Sequence, residues 1–246
     1  MKMIVLAIET ATSAESVALV TEDKVLSESN IDILFGHSST LMNNVEKVFR
    51  TAVLDIFSVD AVAVSAGPGS FTGLRAGFSL AKGLAYAAKK PFCAVPTLDA
   101  LTYAYAPSGA GILEQSGKKL KSARLLCPML DARKNEYYFS LYSETEKGPV
   151  RLLAPASLPV EAVIKTVKNL KAESVVFFGE GAVKCGEELK KAFKNAAFSE
   201  VFPRASAVGA LAVFKLLKGE KQDFEKALPL YIRKPDAVIS KAKNKK

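Results

Sequence analysis

Tryptophan is absent from the 246 residues, histidine occurs once and cysteine three times. One histidine, His37, cannot build a histidine-rich metal centre. Three cysteines without a C-x-x-C pair cannot build a zinc cluster of nitrogen and sulfur ligands. A nucleophilic triad needs only one histidine, so the count leaves that chemistry open. Cys93, Cys127 and Cys185 are odd in number, far apart and set among apolar neighbours. They read as reduced, buried thiols of a cytosolic protein. Long hydrophobic runs are missing as well. The opening MIVLAI is stopped by Glu9, short of the ~7–15 residues of a secretory core segment. The apolar stretch 74–88 is broken by Arg75 and Lys82, short of the ~20 residues of a membrane span. A cytoplasmic location with no membrane contact is the expectation.

What is present is an ordinary globular composition, 49% apolar, long enough for one large domain or two lobes. The net charge of +9 is uneven. Residues 1–100 carry eight Lys/Arg against ten Asp/Glu, whereas residues 101–246 carry 26 against 15. The last 15 residues alone hold +5. A basic tail of this kind can follow a phosphate backbone, which makes a weak nucleic-acid contact a candidate, but it carries no interleaved aromatics for base stacking.

Periodicity organises the chain. An apolar strand over 3–8 is followed by a polar turn, a strand over 16–20 and an alternating strand over 24–34. The period then changes to 3.6, placing a helix over 38–52 with Leu41 and Val45 on its apolar face. A strand over 61–66 runs through a glycine-rich loop into a helix over 74–89. A strand over 92–95 and a helix opening at 96–97 follow. Residues 107–123, rich in Gly, Ser and Lys, separate this half from strands over 125–130, 136–142 and 150–153. A helix over 159–170, a strand over 174–178 and helices over 182–195 and 206–217 complete the chain. The order of elements recurs at half the chain length, so two similar α/β lobes are expected, 1–106 and 107–246. The last helix is a candidate to pack back on the first lobe.

The segment SAGPGSFTGLR (65–75) joins a strand to a helix, the setting of a phosphate loop. Its last glycine is followed by Leu-Arg instead of Lys-Ser/Thr, and its spacing misses the dinucleotide fingerprint. Packing explains it better. Gly73, Gly77, Ala81, Ala85 and Ala88 form a small-residue ridge that lets another helix approach closely, with Leu74 and Phe78 beside it. That ridge serves either a contact within the lobe or an interface with another protein. His37 lacks a second ligand one turn on, where Leu41 stands, and no nucleophile elbow accompanies it. Thr10 and Thr12 in the first turn, with Gly179 and Gly181 before a later helix, are candidates for nucleotide contacts between the lobes. That would make the chain a two-lobed ATPase or small-molecule kinase acting alone, with Glu9 and Asp131 its acidic pair.

IETATS (8–13), His37-Ser38, SAGPGSFTGLR (65–75), DAR (131–133) and PLYIR (229–233) occur in order, and together they resemble the bacterial TsaB (YeaZ) family. The resemblance implies an actin/Hsp70-like (ASKHA) fold of two similar lobes, each a mixed sheet flanked by helices. It implies a non-catalytic, activating partner of the threonylcarbamoyl transferase TsaD, with the ATPase TsaE joining them. That assembly makes threonylcarbamoyladenosine beside the anticodon of tRNAs reading codons that begin with A. Neither metal nor cofactor is implied for this subunit, and a homodimer is expected when it is alone. The expected partner face comprises His37, Leu41, Val45, Phe71, Gly73, Leu74, Arg75, Gly77, Phe78 and Ala81, with Arg75 as the polar contact.

Overall fold

The structure, a computed structural model, describes residues 2–32, 40–107, 111–114, 124–220 and 222–233. Strand β1 (Val5–Glu9) is buried along its whole length, which explains its unbroken apolar run. β2 (Ala14–Val20) and β3 (Val25–Asp32) complete an antiparallel meander. β3 is the outer strand, and its alternating sequence follows from having one covered face. After α1 (Leu41–Ala52) and a single 3-10 turn at Ile56–Ser58, β4 (Ala61–Gly67) pairs parallel with β1. Helix α2 (Phe71–Ala88) leads to the parallel strand β5 (Phe92–Pro96), and α3 (Thr97–Tyr105) follows at once. The sheet order is β3-β2-β1-β4-β5.

The second half repeats this plan. The short β6 (Leu113–Glu114) precedes a meander of β7 (Arg124–Asp131), β8 (Glu136–Ser143) and β9 (Val150–Pro159). Helix α4 (Val160–Asn169), β10 (Ser174–Phe178), α5 (Glu180–Lys184), α6 (Gly186–Ala192), β11 (Ala196–Ser199) and α7 (Ala205–Leu217) complete it. The order β11-β10-β7-β8-β9-β6 is that of the first sheet with β6 added at one end. Two mixed sheets of one topology, each flanked by helices, make the actin/Hsp70-like architecture.

Four apolar layers hold it together. One lies between the first sheet and α1 with α2, and a second between that sheet and α7. A third joins α3 to the second sheet, and a fourth lies under α4, α5 and α6. Helix α7 comes last in the chain yet packs on the first sheet, where a Cβ at Gly209 would stand 2.4 Å from a Val20 methyl and 3.1 Å from Ala7.

Several elements differ from the sequence reading. The helix expected over 182–195 breaks at Cys185, just before Gly186, into α5 and α6, and α6 ends where Phe193 turns in to meet Phe177 at 5.4 Å between ring centroids. The strand β11 that follows was missed. β9 runs on to Pro159 instead of stopping at 153, since β6 covers only its first two residues and leaves Pro155 with no ladder bond to donate. α2 starts three residues early, because the Ser70 hydroxyl accepts from Gly73 N at 3.3 Å and caps it.

Residues 222–233 form a strap from the first lobe to the second. The Gln222 amide bonds both N–H and C=O of Ala94, closing part of the free edge of β5. Phe224 packs edge-on against Phe92. Leu230 N donates to Ala66 O at 2.6 Å, and the Tyr231 ring lies 5.0 Å from that of Phe71. Arg233 then reaches the second lobe, donating to Ala132 O.

Candidate functional site

The glycine-rich segment, the DAR hairpin and the PLYIR segment are far apart in sequence and meet along this strap. At Gly67, φ is +102°, and a Cβ would stand 2.8 Å from Leu230 O, so only glycine lets the strap lie this close. Arg75 lies with its guanidinium 3.8 Å from the Phe71 ring centroid, and its Nε donates to the Tyr231 hydroxyl at 3.3 Å. Arg75 is exposed, as a partner contact requires, but it already has two partners in its own chain.

The turn after β1 is used up internally. Thr10 is fully buried; its hydroxyl donates to Gly73 O at 2.8 Å and its amide to the Ser65 hydroxyl at 3.4 Å. Ser70 N donates to Ala11 O at 2.7 Å, and a Cβ at Gly69 would meet that carbonyl at 2.3 Å, so the glycine loop rests on the turn. The Thr12 hydroxyl accepts from Ala14 N. Gly179 and Gly181 sit where side chains would strike β7: Cβ atoms there would stand 2.4 Å from Met129 O and 2.9 Å from Leu130 N. The two glycines therefore serve close packing of backbone on backbone, and the two threonine hydroxyls bond backbone groups of the chain itself. None lines the cavities of about 520, 310 and 170 Å³ elsewhere in the molecule.

The acidic pair does not assemble either. Asp131 pairs with Lys184 at 2.8 Å and accepts from Arg133 N. Glu9 is fully buried; its Oε1 accepts from Ala11 N while Oε2 has no partner. Among the described residues no group of three or more His, Cys, Asp or Glu could hold a metal ion. His37 lies outside the described residues. The three cysteines are buried and free, and burial pushes the Cys93 and Cys185 thiols up to about 11.

Burial raises the Glu9 carboxyl from its ordinary 4.5 to about 7. Above pH 7 the native state must hold the charged form in its core, while the unfolded chain is ionised already above 4.5. The penalty is therefore complete above pH 7, shrinks as pH falls and vanishes below 4.5. Glu9→Gln is expected to exceed wild type in stability by about 3 kcal/mol at pH 8, with the gap closing by pH 4.5. Urea midpoints at the two pH values check this; a gap that does not change with pH would contradict it.

The expected partner face divides into two sets. Leu41, Val45, Gly73, Leu74, Gly77, Phe78 and Ala81 are buried. The apolar ones pack in the layer between α1, α2 and the first sheet. A Cβ at Gly77 would stand 2.3 Å from Thr10 Oγ1. The small-residue ridge is thus the seam of α2 with its own sheet, the contact within the lobe that was one of its two readings, and its residues on the expected partner face are buried in this chain. Of the set, Phe71 and Arg75 keep exposed surface.

Sequence reasoning missed the outward face of the same helix. Ala76, Ser79, Gly83 and Ala87 form a second small-residue stripe, and a Cβ at Gly83 would meet nothing within 4 Å. Tyr86, 77% exposed, stands beside it, and Met42 on α1 is also exposed. Spacing of three and four residues was the available signal, present on both faces.

Comparison with known proteins follows this geometry. The family profile described as TsaD: tRNA N6-adenosine threonylcarbamoyltransferase matches residues 35–241. The tRNA threonylcarbamoyladenosine biosynthesis protein TsaB of Escherichia coli is 33% identical over 146 residues, 59% of this chain and 58% of that one. The TsaB protein of Bacillus subtilis is 28% identical over 177 residues, 72% and 71% of the two chains. The match with the Haemophilus influenzae TsaB, 33% identical over 55% of this chain, spans 52% of that relative, so about half of some curated relatives is covered. A Pseudomonas aeruginosa crystal structure, described as a protein with similarity to peptidase YeaZ, is 28% identical with a TM-score of 0.74. That alignment covers 94% of this chain and 100% of the other. Among the described residues no helix is long and apolar enough to cross a membrane.

Proposed function

We propose, because the chain belongs to the TsaB (YeaZ) family within the wider TsaD family, that it is a non-catalytic, activating subunit in the biosynthesis of threonylcarbamoyladenosine on tRNA. Its partner is the transferase TsaD, joined by TsaE, in the cytoplasm. The adenosine modified lies beside the anticodon of tRNAs reading codons that start with A. The observation that carries this reading is the outward face of α2, with an open small-residue stripe beside the exposed Tyr86. Small side chains let a second helix come close, and exposed apolar groups beside them reward burial. Without TsaD, two copies of the chain cover this face for each other. The absorption of Thr10, Thr12, Gly179 and Gly181 into packing supports a scaffold over a solitary ATPase or kinase.

Gly83→Leu separates docking from folding. A leucine there fills the space a partner helix needs, and overpacking of about 1–3 kcal/mol corresponds to weakening of about fivefold to 150-fold. Co-purification with TsaD is expected to fail for the variant, while its urea midpoint stays at or above that of wild type. Undiminished binding would overturn this face as the docking surface.

A further inference from the structure

The outermost layer of the second lobe is untouched by the reading above. There the C-terminal ends of α4 and α6 border a hollow of about 310 Å³. Lys168 and Lys171 line it from the end of α4, and Lys194 from the end of α6, over Val167 and Phe193. Lys165 and Lys191 are exposed one turn back on the same helices. None of these five pairs with a carboxylate among the described residues. Glu173 is the one acid in the lining. The other nearby acids, Glu161, Glu187 and Glu188, stand in the first turns of the two helices, away from the hollow.

Helix dipoles account for part of this, because one cation at a C-terminus is worth about 0.3–1 kcal/mol. They do not account for three exposed lysines from two helix ends gathered on the border of one hollow with a single acid among them. Lys168 is also held, with its Nζ 5.6 Å from the Phe193 ring centroid. A hollow edged by lysines that pair with no carboxylate among the described residues is complementary to a chain of phosphates.

Building on the proposed role in tRNA modification, we infer that this lysine-edged hollow binds the phosphate backbone of RNA. It positions the RNA and reads no sequence, since phosphate contacts carry none. The first lobe carries the α2 face and is slightly acidic, so it repels the same ligand. Protein partner and RNA therefore address opposite outer layers of the molecule.

The test uses the full-length chain and unmodified tRNA, with binding followed by anisotropy between about 50 and 200 mM salt. The variant is Lys168→Glu/Lys171→Glu/Lys194→Glu. The control, Lys24→Glu/Lys147→Glu/Lys218→Glu, changes net charge equally at exposed sites elsewhere. The hollow variant is expected to lose about tenfold or more in affinity, with a salt slope shallower by about 2–3, while the control keeps the wild-type slope. Equal weakening of both triples, or of neither, would overturn the inference, since net charge or another surface would then be responsible. So would retained tRNA binding with loss of binding to phosphatidylserine vesicles, which would assign the hollow to a lipid surface. An RNA-free pull-down with TsaD keeps the two proposals apart. The hollow variant is expected to bind TsaD like wild type, whereas failure of wild type itself would sink the subunit reading and not the RNA result.

Discussion

Replacing Asp99 with alanine is expected to lower stability by about 3 kcal/mol, one of the largest effects of any single polar side chain here. Asp99 lies in α3, the helix between the two sheets, and its side chain is only 5% exposed. Its Oδ1 accepts from the Tyr142 hydroxyl of β8 at 2.6 Å, and its Oδ2 pairs with Arg151 of β9. Burial, then the Asp99 charge, holds the Tyr142 phenol well above its ordinary value, so it remains a donor. Removing the carboxylate strands a largely buried guanidinium, whose Nε already has no partner. Arg151 keeps Glu114 at 2.6 Å, but that carboxylate is 70% exposed and screened, which places the loss at the low end for a broken buried pair. Asp99→Asn keeps an acceptor for Tyr142 and should cost roughly half as much. Asp99→Leu with Arg151→Met removes both charges and should recover much of the loss. Urea denaturation of the four proteins decides the matter. If the double variant is as unstable as Asp99→Ala, the pair matters for shape and not for its charges.

Much of the architecture was legible because burial on one or both faces leaves a period in the sequence. β1 and β4 read as continuous apolar runs because sheet neighbours and helices cover them on every side, and β3 alternates because it is an outer strand. The pattern failed where a distant group decided the local fold. Gly186 marks the break at Cys185, but the end of α6 is not marked: Phe193 leaves the helix where Phe177, on β10, offers it a face. The strap was equally hidden. The PLYIR segment has no period, and its order comes from Ala66, Phe71, Arg75 and Ala132, all remote in sequence. The candidate face was legible as a helix and illegible as a direction. A small residue records that something approaches closely, not whether that something is the chain's own sheet or another molecule.

Two glycines six residues apart on α2 make that ambiguity measurable. Gly77→Leu is expected to cost roughly 4 kcal/mol or more. Its Cβ would already stand 2.3 Å from Thr10 Oγ1 and 3.4 Å from a Val64 methyl, before the rest of the side chain is placed. Thr10 must then move, and its buried hydrogen bond to Gly73 O, which ties α2 to the turn after β1, is lost with it. Gly83→Leu makes the same chemical change on the opposite face, where a Cβ meets nothing within 4 Å. A glycine in an exposed helix interior costs about 1 kcal/mol relative to a good helix former, so this variant should be the more stable protein by about that amount. Thermal and urea unfolding of the pair give the comparison directly. Similar destabilisation by both would mean that the outward stripe of α2 is covered within this chain, and the docking surface would have to be sought elsewhere. Opposite signs would fix the seam at Gly77 and leave the stripe around Gly83 open to a partner helix.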